Sequence, residues 1–155
     1  MKVVFLGIDG VLATRKTRYC YFEKECVDRL MRLLSITDAK VVLASTWRLG
    51  KLGVVHKSIQ EGRLPRSDYP PQENRELLQR IVGRTSRIHG AQRGVEIDAW
   101  LKENPLVRDF VILDDDTDMA PHRDRLVRTD TVLGLSEKNT NDAIRILKGE
   151  PHGET

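Results

Sequence analysis

The chain has few of the features that mark secreted or membrane proteins. Its 155 residues include two cysteines, Cys20 and Cys26, which are too few for a disulfide framework; they could pair with each other, but reduced thiols are the simpler interpretation. Its apolar runs are far shorter than the roughly 20 residues that span a bilayer, and the N-terminus lacks the charged and then apolar segments of a secretion signal. The sequence therefore predicts a cytoplasmic protein without a membrane segment.

Histidine and aromatic residues are also sparse, and neither sign of charge dominates. Aromatic residues make up 5% of the sequence and the four histidines are scattered, so no zinc-ligand spacing appears. The net charge of +3 is compatible with an anionic partner but does not by itself indicate one. With 39% hydrophobic and 32% charged residues, the composition is typical of one globular domain, which we place at residues 1–155 with a frayed tail over 148–155.

Three short apolar runs predict buried strands. Residues 3–8, 40–44 and 110–113 are continuous rather than alternating runs, rich in β-branched side chains, and each stops at small or acidic residues. Continuous runs of this kind are expected for strands that are covered on both faces.

Segments of helical periodicity lie between and after these runs, at residues 23–35, 93–104 and 136–149. Strands that alternate with helices predict an α/β fold with a parallel sheet wrapped on both sides. The side chains predicted to face the core are Val27, Leu30, Met31 and Leu34 in the first helix, Val95, Ile97, Trp100 and Leu101 in the second, and Ala143, Ile144 and Leu147 in the third.

Two segments depart from this alternation. Residues 13–22 are basic and aromatic and are predicted to form a small hairpin flap, whereas residues 49–75 are rich in glycine, proline and basic residues and are predicted to be irregular. The basic side chains of the two segments form either an ordinary solvated surface or a guide for a polyanion. They are Arg15, Lys16, Arg18, Lys51, His56, Lys57, Arg63 and Arg66.

Oxygen-bearing side chains follow the three predicted strands. Asp9 comes after the first strand, Ser45 and Thr46 come after the second, and residues 114–118 after the third contain four aspartates. Ligands of parallel α/β sheets bind beyond the carboxyl ends of the strands, where these groups are expected to meet. Carboxylate oxygens suit Mg²⁺, so the pattern favours a cation and phosphate site over a solvated acidic turn.

Four motifs occur along the chain in the order "FLGIDGVL", "VVLASTWR", "RGVEIDAWL" and "FVILDDDTDM". They resemble the four motifs of the haloacid dehalogenase (HAD) superfamily of phosphatases. In particular, they are similar to the HAD-type domain of bacterial "Swiss Army Knife" RNA repair proteins, whose ending the segment "LVRTDTVLGLSEKNTNDAIRIL" also resembles. The resemblance covers nearly the whole chain and implies a HAD-like, Rossmann-like fold of three layers around a parallel sheet, without a large cap domain.

The resemblance implies a role for each position of the first two motifs. The leading aspartate of the family is the nucleophile and a magnesium ligand, and Gly7 stands in its place here. The second aspartate is the general acid and base, whose carbonyl group contacts the metal; it corresponds to Asp9, and the following Gly10 belongs with the substrate-binding residues. The hydroxyl that holds a phosphate oxygen corresponds to Ser45, or to Thr46 in the less favoured register.

The third and fourth motifs imply the positive charge and the remaining metal ligands. Arg93 corresponds to the cation that offsets negative charge on nucleophile and phosphate, with Arg48 as a supporting residue. Asp115 is the better candidate of the acidic pair for direct contact with Mg²⁺, and Asp118 orients the ligands. The metal-binding residues implied are therefore Asp9, Asp114, Asp115 and Asp118.

The implied activity is magnesium-dependent hydrolysis of phosphomonoesters through an aspartyl-phosphate. An open site without a lid suits polymer ends, so the candidate substrates include 3′-phosphate ends of RNA or DNA, and the family implies repair enzymes as partners. Gly7 removes the atom to be phosphorylated and one anionic metal ligand, and loss of a principal catalytic group commonly lowers the rate by about 10⁴- to 10⁶-fold. We therefore expect the chain to be inactive or nearly so.

Simpler interpretations stay open for several positions. Gly7 is either the mark of a lost nucleophile, in a natural member or in a mutated phosphatase, or a strand-end glycine required for close backbone approach. Ser45 and Thr46 also suit the start of a helix, and Arg93 also suits an ordinary surface. The alternative function is a non-catalytic module that binds phosphate or nucleotide, or a structural partner in a repair complex.

Overall fold

The computed structural model describes residues 1–17, 22–44 and 71–150, and these residues form a five-stranded, all-parallel sheet. The strand order is β3-β2-β1-β4-β5, so β1 lies in the centre between β2 and β4. Because every strand runs in the same direction, all the carboxyl ends lie along one edge. The strands are β1 (Lys2–Leu6), β2 (Lys40–Leu43), β3 (Ile81–Arg84), β4 (Asp109–Asp114) and β5 (Leu126–Arg128).

Helices cover both faces of the sheet and complete a three-layer α/β fold. The described helices are α1 (Lys24–Thr37), α2 (Pro71–Arg80), α3 (Arg93–Glu103) and α4 (Glu137–Leu147). Buried side chains of α1, α2 and α4 belong to one apolar cluster, and Ile97 of α3 belongs to the cluster on the opposite face. The predicted fold class is confirmed. None of these helices is long and apolar enough to cross a membrane.

Alternation along β1 determines which way the next residue faces. Val4 and Leu6 enter the cluster beneath α1 and α4, whereas Val3 and Phe5 enter the cluster beneath α3. The ring of Phe5 packs edge-on against Trp100 of α3, with ring centroids 5.4 Å apart. The position that follows Leu6 therefore faces α3.

The three apolar runs form strands as predicted, but the sequence did not indicate β3 or β5. Both are short, and in β3 half-buried residues alternate with exposed ones, so neither has the continuous apolar pattern of a central strand. The predicted irregular segment is corrected at its end, and the predicted hairpin is described only in part. Helix α2 begins at Pro71, inside the predicted excursion over 49–75, and a 3₁₀ turn at Arg15–Thr17 lies where a hairpin was expected. Residues 18–21 and 49–70 lie outside the described residues.

Helix α4 follows its sequence pattern closely. The Ser136 hydroxyl accepts a hydrogen bond from the amide of Asn139, whose side chain accepts one from the Ser136 amide. This capping box fixes the start of the helix. Ala143, Ile144 and Leu147 are buried, as predicted.

Helix α3 faces the sheet with three of its four predicted core residues, Ile97, Trp100 and Leu101, and the prediction is wrong at Val95. Ile97 is buried as expected, but Val95 is 43% exposed, and the buried neighbours are Gly94 and Glu96. The Glu96 carboxylate accepts a hydrogen bond of 2.9 Å from the Ile88 amide, which offsets part of the cost of burial. Apolar periodicity could not predict the burial of Gly94 and Glu96 in place of Val95, because it depends on a glycine and on a hydrogen-bonded carboxylate.

Gly94 allows α3 to approach the backbone after β4. Its amide donates a 3.0 Å hydrogen bond to the Asp118 carbonyl, and a Cβ atom added to Gly94 would lie 2.2 Å from the carbonyl carbon of Met119. The start of α3 therefore packs directly on the loop that follows β4.

We predict that Gly94→Ala lowers the free energy of unfolding by about 2–3 kcal/mol, because the added methyl group overlaps backbone atoms that cannot move aside. Urea denaturation measures the change. Gly83→Ala is the matched control: its Cβ would lie 3.6 Å from Trp100, an ordinary contact, so we expect a change within about 0.5 kcal/mol. Equal losses in the two variants would contradict this account of the α3 contact.

Candidate active site

Gly7 lies at the carboxyl edge of the sheet, immediately after the central strand. Its amide donates a 2.9 Å hydrogen bond to the carbonyl of Leu113 in β4, and the amide of Ala44 donates a 2.9 Å hydrogen bond to the carbonyl of Leu6. The ladder therefore extends one residue beyond β1, with Ala44 on one side of Gly7 and Asp114 on the other. All three residues are buried.

The carboxylate of Asp114 lies in the space next to Gly7. A Cβ atom added to Gly7 would lie 2.7 Å from Oδ2 and 3.0 Å from Cγ of Asp114. Real Cβ atoms essentially never come within 3.0 Å of such atoms, so any side chain at position 7 requires Asp114 to move. The absence of a side chain at Gly7 is what allows the carboxylate to lie there.

Arg93 provides the positive charge beside this carboxylate. It is the first residue of α3, and its Nη1 atom lies 3.8 Å from Oδ2 of Asp114 and donates a hydrogen bond to the carbonyl of Ala44. The Arg93 side chain is 16% exposed and that of Asp114 is 6% exposed, so the pair is shielded from most solvent screening. The structure thus brings together three residues that the sequence nominated: Gly7, Arg93 and Asp114.

Burial raises the pKa of the Asp114 carboxyl group to about 7. The amide of Asp116, which donates a 3.0 Å hydrogen bond to Oδ1, and the guanidinium group of Arg93 both favour the charged form, but desolvation outweighs them. The neighbouring Asp115 adds to the upward shift. The site therefore holds a carboxyl group that takes up a proton more readily than an exposed aspartate.

The turn after β1 carries Asp9 and Gly10. The carbonyl of Ile8 accepts hydrogen bonds from three successive amides of residues 11–13, and the Gly10 amide donates to the Ala13 carbonyl. Gly10 has a φ of +79°, and a Cβ atom there would lie 2.2 Å from Oδ2 of Asp115. Gly10 is required both for the turn and for the close approach of Asp115.

Residues after β5 hold this turn and the acidic loop together. The Thr129 hydroxyl donates a 2.6 Å hydrogen bond to the Gly10 carbonyl, and the Thr129 amide donates to the carbonyl of Asp114. The Thr131 hydroxyl donates to Oδ2 of Asp115 at 3.2 Å. No motif in the sequence pointed to these threonines; the pair of hydroxyl residues just after "LVR" was the available signal.

Asp118 holds the start of α3. Its Oδ2 atom accepts a 3.3 Å hydrogen bond from the Arg93 amide, while its buried Oδ1 atom and the Nε atom of Arg93 have no hydrogen-bond partner among the described residues. A second contact, of 3.0 Å between His122 and Asp98, joins the same loop to the same helix. The positive end of α3 is thus already occupied by a protein carboxylate.

The second strand's part of the predicted site lies outside the described residues. This holds for Ser45, Thr46 and Arg48, and for every predicted guiding basic residue except Arg15 and Lys16, which are exposed. The predicted catalytic, phosphate-binding and metal-binding roles therefore stay predictions.

Comparison with known protein families shows to which family the chain belongs. The family model described as the HAD domain in Swiss Army Knife RNA repair proteins matches residues 3–140. The chain belongs to this HAD family. The match extends from β1 into α4 and so includes Gly7, Arg93 and the aspartates after β4. No curated protein and no solved structure matches the chain.

Magnesium is the usual cofactor of this family, and the four aspartates have the oxygen ligands that it prefers. Their arrangement does not fit a cation as it stands. Within the part of the chain that the structure describes, no three acidic, histidine or cysteine side chains lie close enough together to hold a metal ion. Both oxygens of Asp114 already face protein groups, Oδ1 the amide of Asp116 and Oδ2 the side chain of Arg93.

The raised pKa of Asp114 predicts how stability depends on pH. Because the folded-state pKa of about 7 exceeds the ordinary value of 3.8, folding favours the protonated form. The stabilisation of the fold by the protonated Asp114 carboxyl group is fully present below the ordinary pKa of 3.8 and is lost as the pH rises through about 7. We expect Asp114→Asn, which stays neutral, to gain on the order of 3 kcal/mol over the unsubstituted chain between about pH 4 and about pH 8.

Urea denaturation across this pH range measures the difference. Asp124→Asn is the control, because the Asp124 side chain is 78% exposed and its substitution should leave the pH dependence of the unsubstituted chain intact. If the curves of the unsubstituted chain and Asp114→Asn stay parallel at every pH, Asp114 is not the group responsible.

Proposed function

We propose that this chain is a HAD-type phosphatase domain that has lost its chemical step and that recognises phosphorylated ends of RNA or DNA. The observation that carries the proposal is glycine at the carboxyl end of the central strand. In the family this is the place of the nucleophile, and glycine has no group that can take up a phosphoryl group. Hydrolysis is therefore abolished or reduced to a trace.

The residues that remain around Gly7 favour binding of an anion over catalysis. The positive charge of Arg93 lies near Gly7 and favours an anion there. For catalysis, the remaining route is direct attack by water on the phosphomonoester, with Asp9 as the general base and no covalent intermediate. Positioning alone gives little rate when the principal group is missing. Binding does not require that group, so we propose that recognition of the phosphoryl group is retained.

Nucleic acid is the proposed ligand because of the basic loop, which we define as residues 84–92. It begins at the carboxyl end of β3, on the edge of the sheet that also carries Gly7 and Asp114. Arg84, Arg87 and His89 are exposed there, and the loop contains no acidic residue. A cationic segment beside the site suits the phosphodiester backbone that leads to a terminal phosphate.

Restoring the carboxylate tests the lost chemical step. We predict that Gly7→Asp hydrolyses a generic phosphomonoester on the order of 10⁴-fold faster than the unsubstituted chain, and that this gain requires added Mg²⁺. Steady-state release of inorganic phosphate, with and without Mg²⁺, is the measurement. The side chain at position 7 must displace the carboxylate of Asp114, so folding of the variant is checked by circular dichroism.

Gly7→Asn is the matched control, because it adds a side chain of the same size without a nucleophile and should stay inactive. A folded Gly7→Asp variant that binds the metal ion and still releases no phosphate would overturn the proposed phosphatase ancestry of the site.

The second candidate is a module that only binds phosphate or nucleotide. It is favoured by the position of Asp114, whose carboxylate occupies the space that a side chain at position 7 would take. In that case Gly7→Asp gains no turnover, while the unsubstituted chain binds a 3′-phosphorylated oligonucleotide without altering it.

The basic loop gives a separate prediction for binding. We expect Arg84→Gln combined with Arg87→Gln to weaken binding of a single-stranded, 3′-phosphorylated oligonucleotide about tenfold and to reduce the salt dependence of the affinity, because phosphate contacts are lost. Fluorescence anisotropy at several salt concentrations measures both effects.

Arg108→Gln combined with Lys148→Gln is the control for this experiment. It removes the same charge at the opposite edge of the sheet, where β4 begins and α4 ends, and should leave the affinity within about twofold. Equal weakening by the two double variants would mean that the effect comes from net charge rather than from the basic loop.

A further inference from the structure

We infer that Asp114, carried by the neighbouring strand, has taken the place of the missing side chain at position 7 and closes the site to a divalent cation. The inference deepens the proposed function, on which it rests, because it states what the loss of the nucleophile did to the rest of the site. It assigns Asp114 a role other than the metal ligand that the family resemblance implies.

The backbone brings the two positions side by side. Leu6 pairs with Leu113 in the parallel ladder, so the next residues, Gly7 and Asp114, are neighbours, and both continue the face of the sheet that α3 covers. Side chains at neighbouring positions of adjacent strands lie close together on the same face. With no side chain on Gly7, the carboxylate of Asp114 leans across until Oδ2 lies 2.7 Å from the Cβ position.

Partners on the protein hold the carboxylate in this position. Oδ1 accepts the amide hydrogen of Asp116 at 3.0 Å, and Oδ2 faces the Arg93 guanidinium at 3.8 Å. The Arg93 side chain is fixed in turn by its hydrogen bond to the carbonyl of Ala44. A cation that recruited Asp114 would therefore have to displace an arginine and separate a largely buried ion pair.

The other acidic groups do not compensate for this arrangement. Asp118 uses one oxygen on the Arg93 amide, and Asp115 uses one on the Thr131 hydroxyl. No group of three ligands comes together within the described residues. The Asp114 carboxyl group is thus engaged by Arg93, by the Asp116 amide and by a side-chain hydrogen bond with Asp115.

A double-mutant cycle tests whether Asp114 fills the space at position 7. Gly7→Ala adds only the methyl group that would overlap Oδ2, so its melting temperature should fall by several degrees, whereas Gly83→Ala should change it little. In an Asp114→Ala background the carboxylate atoms are gone and only the Leu113 carbonyl oxygen, 3.2 Å from the Cβ position, stays close, so adding Gly7→Ala should lower the melting temperature clearly less than it does in the unsubstituted chain. Additive losses would overturn the inference.

Cation binding provides a second test that does not need the alanine variants to fold. Titration of the full chain with Mn²⁺, followed by electron paramagnetic resonance, should show no site in the unsubstituted protein. Gly7→Asp, which forces Asp114 away and adds a ligand, should bind at least about tenfold more tightly. Lys148→Gln changes the net charge by the same amount at the opposite edge and should bind no better than the unsubstituted chain.

The outcomes separate this inference from the proposed function. Unsubstituted protein that binds Mn²⁺ as tightly as Gly7→Asp overturns the inference, whatever the variant does to phosphomonoesters. A Gly7→Asp variant that binds Mn²⁺ but hydrolyses nothing overturns the lost phosphatase activity and supports the closed site of the unsubstituted chain.

Discussion

The parallel pairing of β1 with β4 is the constraint on which the rest of the site depends. It sets Gly7 beside Asp114 at the same height and on the same face, and it leaves α3 as the only described helix over that face. Arg93, at the start of α3, then contacts the ends of the two strands that flank β1, through Asp114 of β4 and through the carbonyl of Ala44, which follows β2. Changing one residue of this set changes the surroundings of the others, because they share one buried space.

The space beside Gly7 is occupied by a side chain of the neighbouring strand. The buried carboxyl group of Asp114 lies beside Gly7 with three partners, the Asp116 amide, the Arg93 guanidinium and the side chain of Asp115, and the last of these raises its pKa further. The packing that results is compatible with a stable fold.

The sequence predicted the architecture well where the physical signal was local. The apolar runs of β1, β2 and β4 and the capped, amphipathic α4 depend on neighbours in the chain, and they appear as expected. Strands β3 and β5 were missed because edge strands need little apolar character. The position of Asp114 could not be predicted either, since it depends on the register between β1 and β4, whose paired residues are 107 positions apart, and on a side chain that is absent at Gly7. The order of the motifs predicted which residues belong to the site, but it did not predict the contacts between them.

A high-resolution crystal structure of the unsubstituted chain, grown with excess MgCl₂ and orthophosphate, tests the central claim most directly. The account predicts that the Asp114 carboxylate packs against the Cα atom of Gly7 with its outer oxygen towards Arg93, and that no cation bridges the aspartates. An Asp114 side chain turned away from Gly7 to share a bound Mg²⁺ with Asp9 or Asp115 would contradict it.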